Sequence, residues 1–282
     1  MIALLFGIVP NLEKKNADKA AFRAAEQLKV SGADCVLPLG AEHIVAAGCG
    51  YMDVEEIYRK CDIIVAAGGD GTLIHAAKRA ARYGKPVVGI NTGRVGYIAS
   101  LELNEIPLLS KCVAGDYTVE ERMMLAASVG SKTVETDCLN DISVVRDNGS
   151  RILDICVKDR GRELMTPRAD GLIIATPNGS TAYAMSAGGP VTDPTIECML
   201  AVPVCPMSLY TRGFVLSPKS ELEISLLPGD SVGACVKFDG DGEVRLAAGE
   251  SVHIRRSERA ARLIKLKDST FYSVFKNKMS LL

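Results

Sequence analysis

Over the first 117 residues, short apolar runs alternate with longer stretches that place an apolar residue every three or four positions. Ile2 to Val9 reads as a strand. Asp18 to Lys29 reads as a helix with Ala20, Ala21, Ala24, Ala25 and Leu28 along its apolar side. Ile63 to Ala66 is a second strand, followed by a glycine turn and a helix from about Leu73 to Arg82. Val87 to Ile90 is a third, followed by another turn at Asn91 to Gly96. Strand, turn, helix and strand in this rhythm predict a parallel sheet with crossover helices. Ligands of such sheets gather at the carboxyl ends of the strands, where both glycine turns fall.

After Tyr117 the texture changes. Leu125–Val129, Ile142–Arg146, Ile152–Lys158, Leu172–Thr176, Leu222–Leu226, Gly233–Phe238 and Ser251–Arg255 are short runs separated by Gly, Asp, Asn or Pro. This pattern predicts a mostly antiparallel β domain. The expectation is an α/β N-terminal domain over residues 1–117, with a mainly parallel sheet, and a β-rich C-terminal domain over residues 118–256.

Composition narrows the partners. At 282 residues, 48% hydrophobic and 24% charged, the chain has material for two domains of ordinary size or one large one. A net charge of −1 gives no general pull on nucleic acid or on an acidic membrane, so an anionic ligand must be held by local groups. Nine cysteines form no CxxC pair, and the count is odd, which suits ordinary thiols in a reducing compartment better than zinc or a disulfide framework. The opening MIALLFGIVP lacks a basic stretch and a small-residue cleavage site and is too short for a membrane span, so a cytoplasmic location is expected.

Four places can carry chemistry. Gly68-Gly69-Asp70-Gly71-Thr72 follows a strand and opens a helix. Glycines let backbone N–H groups approach a ligand, and a helix N-terminus favours phosphate. Asp70 then has a specific task, a metal or a hydroxyl proton, or else it satisfies free helix N–H groups. Neither GxxxxGK[ST] nor GxGxxG occurs at this turn. Asn140-Asp141 precedes a strand and reads either as an Asx turn or as a grip on a nucleoside. Arg168-Ala169-Asp170-Gly171, a strand and Thr176 to Pro190 form the third. There Ser180 and Thr181 are placed to cap a short helix over Ala182–Ser186, Tyr183 can stack on a base, and Asp170 can accept hydrogen bonds. Phe238-Asp239-Gly240-Asp241-Gly242 does not match the spacing of a calcium loop and reads as a hairpin turn or a ligand-edge loop. His43, His75 and His253 lack metal-cage spacing, and only His75 lies about one helical turn beyond Asp70.

Taken in order, GGDGT at 68–72, NTGRVGYIA at 91–99, LND at 139–141, RADGLIIATPNGSTAYAMSAGGP at 168–190, PVCPMSL at 203–209 and FDGDG at 238–242 resemble the NAD kinase family. GGDGT is shared with lipid kinases and phosphofructokinase-like enzymes; the 168–190 segment is far more specific. The resemblance implies ATP- and Mg2+-dependent phosphorylation of the 2′-hydroxyl of the adenosine ribose of NAD, in a homodimer or homotetramer, with polyphosphate as another conceivable donor. It implies that residues 257–282 pack back on the first domain. Position by position, it implies Asp70 as the catalytic aspartate with Gly71 beside it. Asn140, Asp141, Arg168, Asp170, Thr181, Ala182, Tyr183, Ala184, Met185 and Ser186 become nucleotide contacts, and His75, Arg151 and Asp241 more variable ones.

One departure stands out: the family usually has Asn-Glu where this chain has Asn140-Asp141, one methylene shorter. Two other functions compete. A GGDGT lipid kinase needs an apolar acceptor pocket and a membrane-facing patch, and no basic amphipathic helix stands out. A non-catalytic NAD(P) sensor needs no Asp70.

Overall fold

A computed structural model describes residues 4–279, apart from 47, 94, 95, 97, 99, 100, 135, 136, 148–150, 228–232, 248 and 269. The chain divides into two compact units, residues 1–121 with 261–282, and residues 122–260.

The first unit begins β1 (Leu5–Pro10), α1 (Ala17–Val30), β2 (Asp34–Pro38), β3 (Gly50–Met52), α2 (Val54–Lys60), β4 (Ile63–Gly68), α3 (Asp70–Ala81), β5 (Pro86–Asn91) and β6 (Leu101–Glu102). A 3-10 turn over Leu103–Leu108 and α4 (Leu109–Ala114) follow. The helix expected over 18–29 forms, and its buried face includes Ala20, Ala21, Ala24, Ala25 and Leu28. Four of those five are alanines, which let helix and sheet approach closely. Leu28 is the anchor, since burying a leucine contributes roughly 1.5–3 kcal/mol. β2, β3 and α2 were not expected. α2 starts at Asp53, whose carboxylate accepts the N–H groups of Glu55 and Glu56.

All described pairings of this sheet are parallel, in the order β3-β2-β1-β4-β5. That is a doubly wound order, and its direction reverses between β1 and β4. Both faces are covered, so β4 is buried at all six positions and reads as a continuous apolar run.

The second unit contains β7 (Thr118–Val129, its first residues in the first unit), β8 (Lys132–Thr133), β9 (Asp141–Arg146), β10 (Leu153–Asp159), β11 (Arg162–Met165), β12 (Arg168–Ala169) and β13 (Gly171–Ala175). After α5 (Tyr183–Ser186) come β14 (Met199–Val204), β15 (Phe214–Leu216), β16 (Glu221–Leu226), β17 (Ala234–Phe238) and β18 (Asp241–Leu246). β19 (Ser251–Lys265) crosses into the first unit, where Arg262 and Leu263 pair with Pro86 and Val87 of β5, and α6 (Phe271–Met279) follows.

Six strands form an antiparallel sheet in the order β15-β14-β13-β9-β17-β18. A second antiparallel set runs β11-β10-β16-β19. Side chains alternate across the six-stranded sheet. Leu172, Ile174, Met199 and Ala201 join one core with residues of β10, β16 and β19. Ile173, Ala175, Leu200 and Val202 pack on the other face against Ala184 of α5.

Candidate active site

The glycine turn sits at the reversal point of the first unit's sheet. Asn11, just past β1, donates its backbone N–H to the Ala67 carbonyl at 2.9 Å and its amide to Thr72 Oγ1 at 3.1 Å. Nothing in the sequence patterning marked Asn11. The helix begins at Asp70 itself rather than near Leu73, because Gly69 supplies the extended residue before it (φ −92°, ψ −173°). A carboxylate in the first turn complements the positive end of the helix dipole.

The Asp70 Oδ1 accepts the backbone N–H of Ile98 at 3.3 Å, so the chain just past the second glycine turn holds the carboxylate of the first. Gly96 lies against the same carboxylate: a Cβ there would come within 2.1 Å of Asp70 Oδ1. Around Gly69 and Gly71 the space is open, with no heavy atom within 4 Å of where a Cβ would stand. His75 is exposed on α3.

In the second unit the Asn140-Asp141 pair is held by groups far away in sequence. The Asp239 carboxylate accepts three backbone N–H groups, from Leu139 (3.0 Å), Asn140 (2.7 Å) and Asp141 (3.0 Å). Asp239 N–H in turn donates to the Asp141 carbonyl at 2.9 Å. Asp239 and Gly240 both have positive φ (53° and 77°), the geometry of a two-residue hairpin turn between β17 and β18. From the opposite side, Thr176 Oγ1 donates to the Leu139 carbonyl, and Asn178 donates to Asn140 Oδ1 at 2.7 Å. Gly179 packs onto the Asn140 carbonyl so tightly that a Cβ would approach it to 2.1 Å.

The segment after β13 differs from the expected capped helix. Asn178–Thr181 form a 3-10 turn, Ala182 breaks it (φ −102°, ψ −129°), and α5 covers only Tyr183–Ser186. Ser180 and Thr181 do not cap α5. Ser180 Oγ instead accepts the Thr192 N–H at 3.0 Å, and the Thr181 hydroxyl donates to the Asn178 carbonyl at 3.4 Å. Glycine at 179 is what allows the turn to lie this close to the Asn140 carbonyl.

Burial sorts the remaining candidates. Tyr183 is 43% exposed, whereas Ala184 is fully buried in the core below it. Thr181, Ala182 and Met185 are half-buried and Ser186 is exposed. Asp170 pairs with Arg146 Nε at 2.8 Å, so one of its oxygens is already engaged. Arg168 lies 3.6 Å from Asp154 across the β10–β12 pair. Arg151 is exposed ahead of β10, and Asp241 is exposed at the start of β18.

Asp141 is 5% exposed. Burial, and then the negative charge of Asp239, push its carboxyl up to about 7. Partial burial, and then the charges of Cys205, Asp141 and Asp170, raise the Tyr183 phenol. Those causes identify a common neighbourhood: an aromatic ring among carboxylates, suited to a base and its ribose hydroxyls.

A cavity of about 710 Å3 elsewhere in this unit, lined by Asp137, Arg160, Glu221, His253 and Arg259 among others, contains none of these residues. Its Arg259 and Asp137 already pair with each other at 2.6 Å. Among the described residues, no group of three or more His, Cys, Asp or Glu is placed to hold a metal ion. No helix there is long and apolar enough to cross a membrane.

An aspartate held at a helix start beside open backbone is compatible with steering a hydroxyl onto a phosphoryl group, and the comparisons define the class as that of a phosphotransferase. Residues 6–117 match the ATP-NAD kinase N-terminal domain and residues 139–266 the ATP-NAD kinase C-terminal domain. The NAD kinase of Moorella thermoacetica is 38% identical over 97% of this chain and 88% of its own length. That of Symbiobacterium thermophilum is 36% identical over 98% of both. Among solved structures, an Archaeoglobus fulgidus NAD kinase in complex with ATP aligns with a TM-score of 0.79 and 28% identity, over 99% of this chain and 100% of that one. Yeast NADH kinase complexed with NADH aligns at 0.86 over 99% and 88%; with 19% identity it speaks for the fold alone. The chain belongs to the NAD kinase family, and its reaction is the phosphorylation of NAD to NADP.

Proposed function

We propose that Asp70 orients the 2′-hydroxyl of the adenosine ribose of NAD and takes its proton as that oxygen attacks the γ-phosphorus of ATP. The new O–P bond forms, the bond to the β-phosphate oxygen breaks and ADP leaves. A carboxylate is a far weaker base than a sugar alkoxide, so the proton moves late and positioning supplies much of the rate. The observation that carries this reading is the fixing of the Asp70 carboxylate by Ile98 N–H and Gly96 beside the open Gly69 and Gly71 backbone. Those glycines and the start of α3 receive phosphate oxygens. Mg2+ enters with the triphosphate as part of the substrate and neutralises its charge.

Asn140, Asp141, Asp170 and Tyr183 hold the adenosine half of NAD, with Thr181, Ala182, Met185 and Ser186 along its edge. Ala184 acts from beneath, as the buried support of Tyr183. Gly71 lies beside the phosphates, and His75, Arg151, Arg168 and Asp241 are peripheral contacts. The enzyme works in the cytoplasm as a homodimer or homotetramer, which light scattering distinguishes. In the decisive assay, purified protein is given NAD, ATP and MgCl2, and an NADP-specific dehydrogenase reports the 2′-phosphorylated product. Omitting MgCl2, and replacing ATP by polyphosphate, test the donor assignments separately. Phosphate appearing at another hydroxyl would overturn the role given to Asp70.

A further inference from the structure

We propose that Cys35 and Cys49 form a reversible disulfide by exchange with a small disulfide such as oxidised glutathione. Their sulfurs stand 3.2 Å apart, although none of the nine cysteines is bonded. The cause is register. β2 and β3 run parallel with Val36 opposite Gly50, so the preceding residues, Cys35 and Cys49, fall opposite each other across neighbouring strands. Neighbouring strands lie about 4.8 Å apart, within the Cα separation that a disulfide spans, and closing to bonding distance takes roughly 1.2 Å of sulfur movement.

The two thiols differ in access and in acidity. Cys35 is 3% exposed, whereas Cys49 is partly open to solvent. The contact with Cys49, helped by the Lys29 ammonium, lowers Cys35, while the same contact raises Cys49. Lys29 lies over this corner, its Nζ 3.2 Å from where a Cβ on Gly48 would stand.

Access sets the first step and thiolate character the second. Cys49 passes its proton to the neighbouring Cys35 sulfur as it attacks one sulfur of the small disulfide, whose S–S bond breaks to release one thiolate, and that thiolate takes the proton from Cys35. The Cys35 thiolate then attacks Cys49 Sγ, the mixed disulfide breaks and the second thiolate leaves. Two protein thiols are oxidised, one small disulfide is reduced to two thiols, and the protons pass to the leaving groups.

No Lys or Arg separates the two cysteines, so trypsin releases both on one peptide, Val30 to Arg59, and Glu42 lies between them. The full-length protein is equilibrated in glutathione buffers, alkylated and digested. From the oxidised protein this peptide is expected unalkylated and lighter by two hydrogens than its reduced form. After cleavage at Glu42 its halves stay together until dithiothreitol is added. Cys35→Ser should instead retain glutathione on Cys49. A wild-type peptide with both cysteines alkylated in oxidising buffer, or with a stable adduct on Cys49, overturns the proposal.

Discussion

The two units make their contributions from different materials. In the first, one carboxylate stands among backbone groups, and sheet topology puts it there: Asp70 follows a strand buried along its whole length, at the point where strand order reverses. In the second, side chains hold backbone. Asp239 grips residues 139–141 from a sequence distance of 98 to 100, and Thr176 and Asn178 grip the same segment from the other side. A site built by topology changes when its one functional group is altered. A site built by long-range clamps changes when a residue that never meets the ligand is altered.

The largest effect should come from Asp70→Asn, which keeps shape and removes the base. Turnover should fall roughly 10²–10⁴-fold with NAD affinity within a few-fold; a variant near wild-type kcat would sink the role of Asp70. Gly96→Ala tests the same carboxylate without replacing it. The new methyl must displace Oδ1, and a misplacement of about 1 Å costs on the order of 10²-fold in kcat. Unchanged kinetics would mean that the position of the carboxylate is not what matters.

Asp239→Ala should behave in the opposite way. With its three N–H groups left without an anion, the loop loosens, NAD KM rises about tenfold and stability drops about 2–4 kcal/mol, while kcat at saturating NAD changes little. A loss in kcat alone would place Asp239 in the chemistry and erase the contrast.

The remaining effect is on stability alone, and it is a pH dependence. Asp141 titrates at about 7 in the folded chain, against about 3.9 unfolded, so the folded state binds the extra proton between these values. Stability owed to protonated Asp141 is complete below pH 4 and is lost as pH rises to 7. Urea titrations should therefore find Asp141→Asn gaining on the wild type by roughly 2–4 kcal/mol between pH 4 and 8. A constant difference across that range would show that burial and Asp239 do not control this carboxyl.

The same contrast explains what could be read from the chain. β1, α1, β4, α3 and β5 follow from apolar periodicity, which is local information. The short β2, β3 and α2 do not, since β3 is three residues long with two exposed. The motif residues of the second unit were recognisable by type, but their arrangement was not. Asp239 resembles any hairpin aspartate until the fold brings Leu139 to it. The break at Ala182 and the close seat of Gly179 on the Asn140 carbonyl are contacts and angles that spacing does not encode. Asn11 was missed because its partner Thr72 is 61 positions away.

β19 also bears on how the chain is made. Its last residues complete the sheet beside β5, and Ile264 and Leu266 belong to the first unit's core. A ribosome that has delivered the first 121 residues has therefore delivered an unfinished layer. The second unit emerges whole before the first can close. Although domains generally fold in the order of synthesis, here residues 1–121 must wait for residues 261–266, exposing a strand edge meanwhile that invites chaperones or premature pairing.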